Sequence, residues 1–469
     1  MFAGFSEIDI TPKPGSNMPG SFDPYRTKRD SIGKLFSSAV AFTSKGNSLI
    51  LISVDILSFK ESYINPIRER ISRATGVPVK NILIAAIHTH TGPGVAYKCW
   101  NCPPEPEVAA DVAEGIYRSG VEAWENRADA SIGIGFGYEK RFSFNRDYYL
   151  NDGRVLMNCG LKHSKDIIKR GGKVDYSVNV MRVDGADGNI KCFIVNYANH
   201  PDCGTDDGSR DRFSADFVGF MRRALKAEYG DAVKVLFFNG TAGDINCLDY
   251  FEEKHRAYCN FADDSGFDST GAKIRKNPPE LIGKGLAETV IKINSEIKAN
   301  VTEPSIDTVS EVCRVKRRKI TPQMIAWAKD VEATPTEDKK YNIMHRAWAD
   351  EYLHDPVAPD TPDYVELEVH TIVIGPWAIV GLPGEIYTEI GLRIKAQSPF
   401  EHTLIFELAN GTNGYIAPAR SMMSGVYETT YSKYNSYTGI ETADRLVTRS
   451  LEQLEDIDRI ILDREVIKN

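Results

Sequence analysis

An almost wholly apolar run, Ile82-Leu83-Ile84-Ala85-Ala86-Ile87, stops abruptly at His88-Thr89-His90-Thr91-Gly92-Pro93-Gly94. A run this short, rich in Ile and Leu and closed by Gly-Pro-Gly, reads as a buried strand. Side chains at the carboxyl end of such a strand lie where open α/β sheets place their ligand crevice. Two histidines at i and i+2 on an extended segment share a face and can reach one centre. The pattern predicts a metal site, although a strand-end pair of histidines is also satisfied by hydrogen bonds alone.

Four further apolar runs end in the same manner. Cys192 to Ala198 delivers His200 and Pro201 into a turn, and Val235 to Phe238 leads through Gly240 and Gly243 to Asp244. Trp377 to Leu382 runs through Pro383-Gly384 to Glu385, and Thr403 to Leu408 runs through a glycine-rich turn to Tyr415. Imidazole, carboxylate and phenolate are nitrogen and oxygen ligands that suit zinc. Packing alone does not require five apolar runs to end on ligand-type residues.

Between these runs lie amphipathic stretches of helical spacing, Ser62 to Thr75, Val108 to Glu125, Phe217 to Glu228, Glu280 to Ile297 and Thr442 to Leu454. Val365 to Leu382 reads as a hairpin turned at Gly375-Pro376. The predicted fold is therefore α/β, with a mixed β-sheet flanked by helices and a metal site at the strand carboxyl ends. Since the candidate ligands span the chain, one centre would tie residues 1–469 into a single domain. Stretches 249–278 and 320–362 read as inserts, either surface excursions or a lid or oligomer contact over the pocket.

At 469 residues, 42% hydrophobic and 26% charged, the chain has the composition of a soluble globular protein. A net charge of -8 argues against nucleic acid as a partner. No apolar stretch approaches the ~20 residues of a membrane span, and Met1-Phe2-Ala3-Gly4 leads into a strand without a leader pattern. These features predict a cytoplasmic protein acting on a small-molecule substrate, with self-association left open. The eight cysteines then read as free thiols, and the Cys99–Cys102 pair, lacking a second CxxC, as a loop near the substrate mouth.

The same residues carry a family resemblance. Gly4 to Pro12, the His88–Gly94 block, Asn145-Arg146, His200-Pro201, Gly243-Asp244, Pro383-Gly384-Glu385, Asn413 to Ile416 and Tyr427-Glu428 follow one another in an order similar to that of the neutral (non-lysosomal) ceramidases. Those enzymes are zinc amidases. The resemblance implies the ceramidase catalytic domain without the family's C-terminal immunoglobulin-like domain. It also implies one zinc per chain, with His88, His200, Glu385 and Tyr415 as its ligands. It further implies His90 as the active-site histidine beside the metal, Arg146 as a contact to substrate oxygen, and Tyr427 as the donor to the oxyanion.

One departure bears on mechanism. The ceramidases carry Gly-Asp-Val-Ser-Pro-Asn, whose serine has been proposed as a nucleophile. Here the place reads Gly243-Asp244-Ile245-Asn246-Cys247-Leu248. An amide side chain forms no acyl-enzyme, so Asn246 is left as a substrate-binding candidate and water as the nucleophile. The leading expectation is a zinc-dependent amidase of a soluble polar substrate. A zinc esterase, lactonase or hydrolase of a sugar-linked group competes with it, and so does a non-catalytic metal-containing binding protein. Taken singly, His200 reads equally as a capped core histidine and Glu385 as a helix cap. Tyr427, Tyr431 or Tyr434 could replace Tyr415, and Asp244 fits either an orienting or a turn-stabilising role.

Overall fold

The computed structural model describes residues 1–20, 30–95, 102–204, 212–252, 278–297, 301–338 and 340–468. All five apolar runs are strands: Ile82–Ala86, Ile190–Tyr197, Lys234–Asn239, Trp377–Gly381 and His402–Phe406. An eight-stranded mixed sheet has the spatial order Lys234–Asn239, Ile190–Tyr197, Ser177–Gly185, Ala128–Tyr138, Phe2–Asp9, Phe36–Ser44, Asn47–Val54 and Ile82–Ala86. A four-stranded sheet runs Ile306–Lys316, Tyr364–Ile374, Trp377–Gly381 and His402–Phe406, its second and third strands forming the expected hairpin across Gly375.

The two-residue period of a strand sorts side chains between layers. In the large sheet, Ala39, Ala41, Ile50, Ile52, Ile82 and Ile84 face one core, shared with helices Glu61–Thr75, Pro106–Glu125, Asp216–Tyr229 and Pro278–Glu296. Their neighbours Val40, Phe42, Leu49, Leu51 and Leu83 face the small sheet, meeting Ile372, Ile374, Ile379 and Leu404. There Phe238 and Phe406 stack with ring centroids 4.3 Å apart. The far face of the small sheet, including Leu367, Val369 and Val380, is covered by side chains of Pro322–Ala333, Ile343–His354, Thr388–Gln397 and Thr442–Lys468. The layers thus run helix, sheet, sheet, helix. Each large apolar side chain removed from water contributes roughly 1.5–3 kcal/mol.

Parallel pairing occurs three times in these two sheets, and each time a helix makes the crossover. The units are Asn47–Val54 to Ile82–Ala86, Ile190–Tyr197 to Lys234–Asn239, and Trp377–Gly381 to His402–Phe406. Every residue picked out at a strand end follows a strand of one of these units, so the fold gathers them at carboxyl ends.

One boundary differs from the sequence reading. The last helix continues beyond Leu454 to Lys468, because Ile457 carries the buried stripe past the acidic pair Glu455-Asp456. Residues 320–362 pack inward: Thr321 and Asn342 cap two helices whose Ala328, Val331, Trp348 and Tyr352 are buried. Of the other predicted features, Cys99, Cys259 and most of 249–278 lie outside the described residues. Cys159, Cys192, Cys203 and Cys313 are free thiols. Among the described residues no helix is long and apolar enough to cross a membrane.

Candidate metal centre

Pairing with Asn47–Val54 carries the chain only to Ile87, whose amide bonds the Val54 carbonyl. His88 then adopts a left-handed conformation with φ 70°, uncommon outside glycine. The two histidines therefore do not sit on an extended segment as the spacing predicted. A kink at His88 aims them instead, with its amide held by the Ile56 carbonyl and that of His90 by the Pro201 carbonyl.

Each imidazole has a backbone acceptor at Nδ1. His88 bonds the Leu57 carbonyl at 2.9 Å, His90 the Gly20 carbonyl at 2.7 Å and His200 the Ala242 carbonyl at 3.1 Å. An Nδ1–H donated to a carbonyl fixes the tautomer with a bare lone pair at Nε2. The three Nε2 atoms face one another at 3.0, 3.2 and 3.3 Å. Three lone pairs converging without a proton between them repel, and a cation resolves the arrangement. Ligands about 2.0–2.1 Å from a tetrahedral zinc stand roughly 3.3 Å apart, close to the 3.2 Å between the His88 and His200 Nε2 atoms.

Glu385 supplies the carboxylate. Its Oε2 lies 3.1 Å from His88 Nε2 and accepts no hydrogen bond among the described residues. Burial alone would raise this acid, but His88, Tyr415 and Arg146 outweigh it and hold Glu385 below its ordinary range. Burial works against the His88 cation too, yet Glu385 leaves its pKa raised, whereas burial and Arg146 press His200 well below its usual value. Glu385 does not cap the following helix: that cap is Tyr387, and it makes no side-chain bond. A two-residue parallel ladder sets Glu385 opposite Tyr415. Gly243 leaves the space for this crossing, since a Cβ there would fall 2.7 Å from the Glu385 carbonyl oxygen.

Behind the imidazoles lies Arg146, buried at 3% exposure. It pairs with Glu428 at 2.6 Å and donates to the Gly243 carbonyl at 2.8 Å and the Tyr415 hydroxyl at 3.1 Å. Tyr427 is half-buried, its ring 5.6 Å from that of Tyr415 and 6.1 Å from that of Trp348. Asn246 is buried with its Oδ1 accepting the Cys247 amide. Among the described residues Asp244 bonds no histidine. It accepts the Thr388 amide and hydroxyl at 2.7 and 2.9 Å, at the start of a helix, and the Asn145 amide at 2.7 Å.

Three contributors escaped the sequence reading. Glu407, a lone acid within an apolar run, accepts the Ala242 and Ile386 amides and so links the His200 acceptor to the Glu385 segment. Burial raises its pKa to about 8, against the pull of His88. Glu428, quoted in a motif but given no role, holds Arg146. Gly20 has no motif; a side chain there would collide with the His90 backbone at 2.1 Å.

No protein-family model and no curated protein matches the chain. Solved structures do. The crystal structure of neutral ceramidase from Pseudomonas aeruginosa matches with TM-score 0.69 at 16% identity, over 97% of this chain and 74% of that one. A ceramidase complexed with C2 matches with TM-score 0.70 at 16% identity, over 98% and 75%. At such identity the likeness speaks for architecture: this chain has the neutral ceramidase fold, with a histidine cluster able to hold a metal ion at its strand carboxyl ends.

Proposed function

We propose that the chain is a zinc-dependent hydrolase, an amidase that cleaves the N-acyl bond of a small polar substrate with water as nucleophile. One observation carries this reading: the His88 and His200 Nε2 atoms stand 3.2 Å apart beside the buried Glu385, with His90 Nε2 3.0–3.3 Å from both. The neutral ceramidase fold supports it.

In this reading His88, His200 and Glu385 hold one ion per chain, with Tyr415 joining them, and the segments that converge on it work as a single domain. When bound, zinc supplies Lewis acidity to a carbonyl oxygen and lowers the pKa of water to about 7. His90 is the most exposed of the three imidazoles, its side chain 19% accessible, and it takes the proton from the attacking water and returns it to the leaving amine. Its contact with Gly20, and with Asp202 at 3.4 Å, keeps Nε2 as the basic atom. Tyr427 donates to the oxygen that gains charge. Arg146 orients Tyr415 from behind, and Asn246 contributes polar contact in place of a nucleophile.

The test is hydrolysis of N-acyl and O-acyl compounds of graded chain length by metal-stripped and zinc-reloaded protein. N-acyl turnover restored by zinc is the expected result. Turnover confined to O-acyl compounds would transfer the centre to an esterase, lactonase or sugar-linked hydrolase. Zinc uptake with no turnover on either panel would leave a binding protein.

A further inference from the structure

Asn435 touches both site tyrosines. Its carbonyl accepts the Tyr415 amide at 2.7 Å, and its Oδ1 accepts the Tyr427 hydroxyl at 3.3 Å. The residue is 7% exposed, and its Nδ2 is buried with no hydrogen-bond partner among the described residues. A buried donor left unsatisfied is costly. In the same arrangement the phenol proton of Tyr427 is directed at Asn435.

A half-turn of the amide gives the Nδ2 donor an acceptor and turns the phenol proton away from Asn435, with Oδ1 taking the place of Nδ2. Oδ1 and Nδ2 are nearly isosteric, and the hydrogen-bond network decides between them. With the amide reversed, Nδ2 donates to the Tyr427 oxygen and the phenol proton is released from Asn435. The rings of Trp348 and Tyr415 flank Tyr427 and keep the phenol in place while its proton turns.

We propose that Asn435 is a positioning residue for Tyr427: its Nδ2–H donates to the phenol oxygen and aims the phenol O–H at the oxygen of a bound acyl group. The proposal rests on the role given to Tyr427 in the hydrolase reading.

Asn435→Asp keeps the size of the side chain but presents a carboxylate that accepts the phenol proton, whereas Asn435→Ala only withdraws the donor. In the zinc-loaded full chain, Asn435→Asp is expected to lower kcat by roughly 10²-fold, the scale of losing one oxyanion donor. Asn435→Ala should lower it less, and both should leave KM and zinc content near wild type. In a Tyr427→Phe background neither substitution should cost more, because the two residues act as one unit. A wild-type rate in Asn435→Asp, or losses that add to Tyr427→Phe, would overturn the proposal while leaving the hydrolase standing. Absence of turnover in the wild type would instead remove the hydrolase reading. A wild-type structure that places hydrogens needs neither activity nor a variant: Nδ2 toward the Tyr427 oxygen is expected, and Oδ1 toward it would overturn the proposal.

Discussion

The two sheets furnish the centre in different ways. From the large sheet come three imidazoles, each fixed by a backbone carbonyl of another segment, Leu57, Gly20 or Ala242. From the small sheet come Glu385, Tyr415 and Tyr427, held by side chains from distant parts of the chain, chiefly Arg146, Glu428 and Glu407. The imidazole half depends on uncharged backbone carbonyls. The acid and phenol half depends on buried charges whose removal disturbs a network. Substitutions in the two halves should therefore fail differently, the first in metal binding and the second in folding stability.

The largest effects belong to the imidazoles. His88→Ala and His200→Ala should abolish zinc retention and lower kcat/KM beyond the ~10–100-fold typical of an outer partner. His90→Ala should keep most of its zinc while losing comparable activity, because its task is the proton. Metal analysis beside steady-state kinetics separates these outcomes, and loss of zinc in His90→Ala would make it a ligand.

Next come the buried charges. Arg146→Ala leaves Glu428 uncompensated in the interior and should cost about 3–5 kcal/mol, read from the denaturation midpoint. Arg146→Met with Glu428→Leu removes both charges and should recover much of that stability without recovering activity. Equal stability of the single and double variants would show that the ion pair is not the support described here.

A histidine of the small sheet sharpens the contrast. His370 is buried beside Glu368 and Asn410, and burial lowers its pKa from 6.5 to about 4. The unfolded chain takes up this proton first as pH falls. His370 thus contributes stability that is complete above pH 6.5 and lost as pH falls toward 4. Unfolding free energy should decline over that window with a share of at most about 1.4 kcal/mol per pH unit from this group. His370→Gln should make the decline shallower, and an unchanged slope would show that other groups dominate it.

The smallest expected change is at Trp348, which stacks on the Tyr427 ring. Trp348→Ala should lower kcat roughly 10-fold, at the mild end of outer-partner effects, with zinc content unchanged. A wild-type rate would reduce residues 320–362 to a purely packing role.

The same contrast governs what could be read from residues alone. Strand ends were legible because Ile and Leu runs closed by Gly or Pro mark both the strand and its stop, and His88, His90, His200 and Glu385 follow such marks. The left-handed turn at His88 was not legible, since tertiary bonds to Ile56 and Pro201 impose it on a residue that does not favour it. Glu407 and Glu428 gave no local signal, because their work is done across 165 and 282 residues of sequence. Gly20 lacks one too; only the packed backbone of His90 shows why a side chain is excluded.

Anomalous X-ray scattering at the zinc edge from crystals of the purified chain tests the central claim most directly. The account predicts one peak per chain, about 2 Å from Nε2 of His88 and His200 and in contact with Glu385. A chain with no metal there, or an ion held elsewhere with the three imidazoles bonded only to the protein, would contradict it.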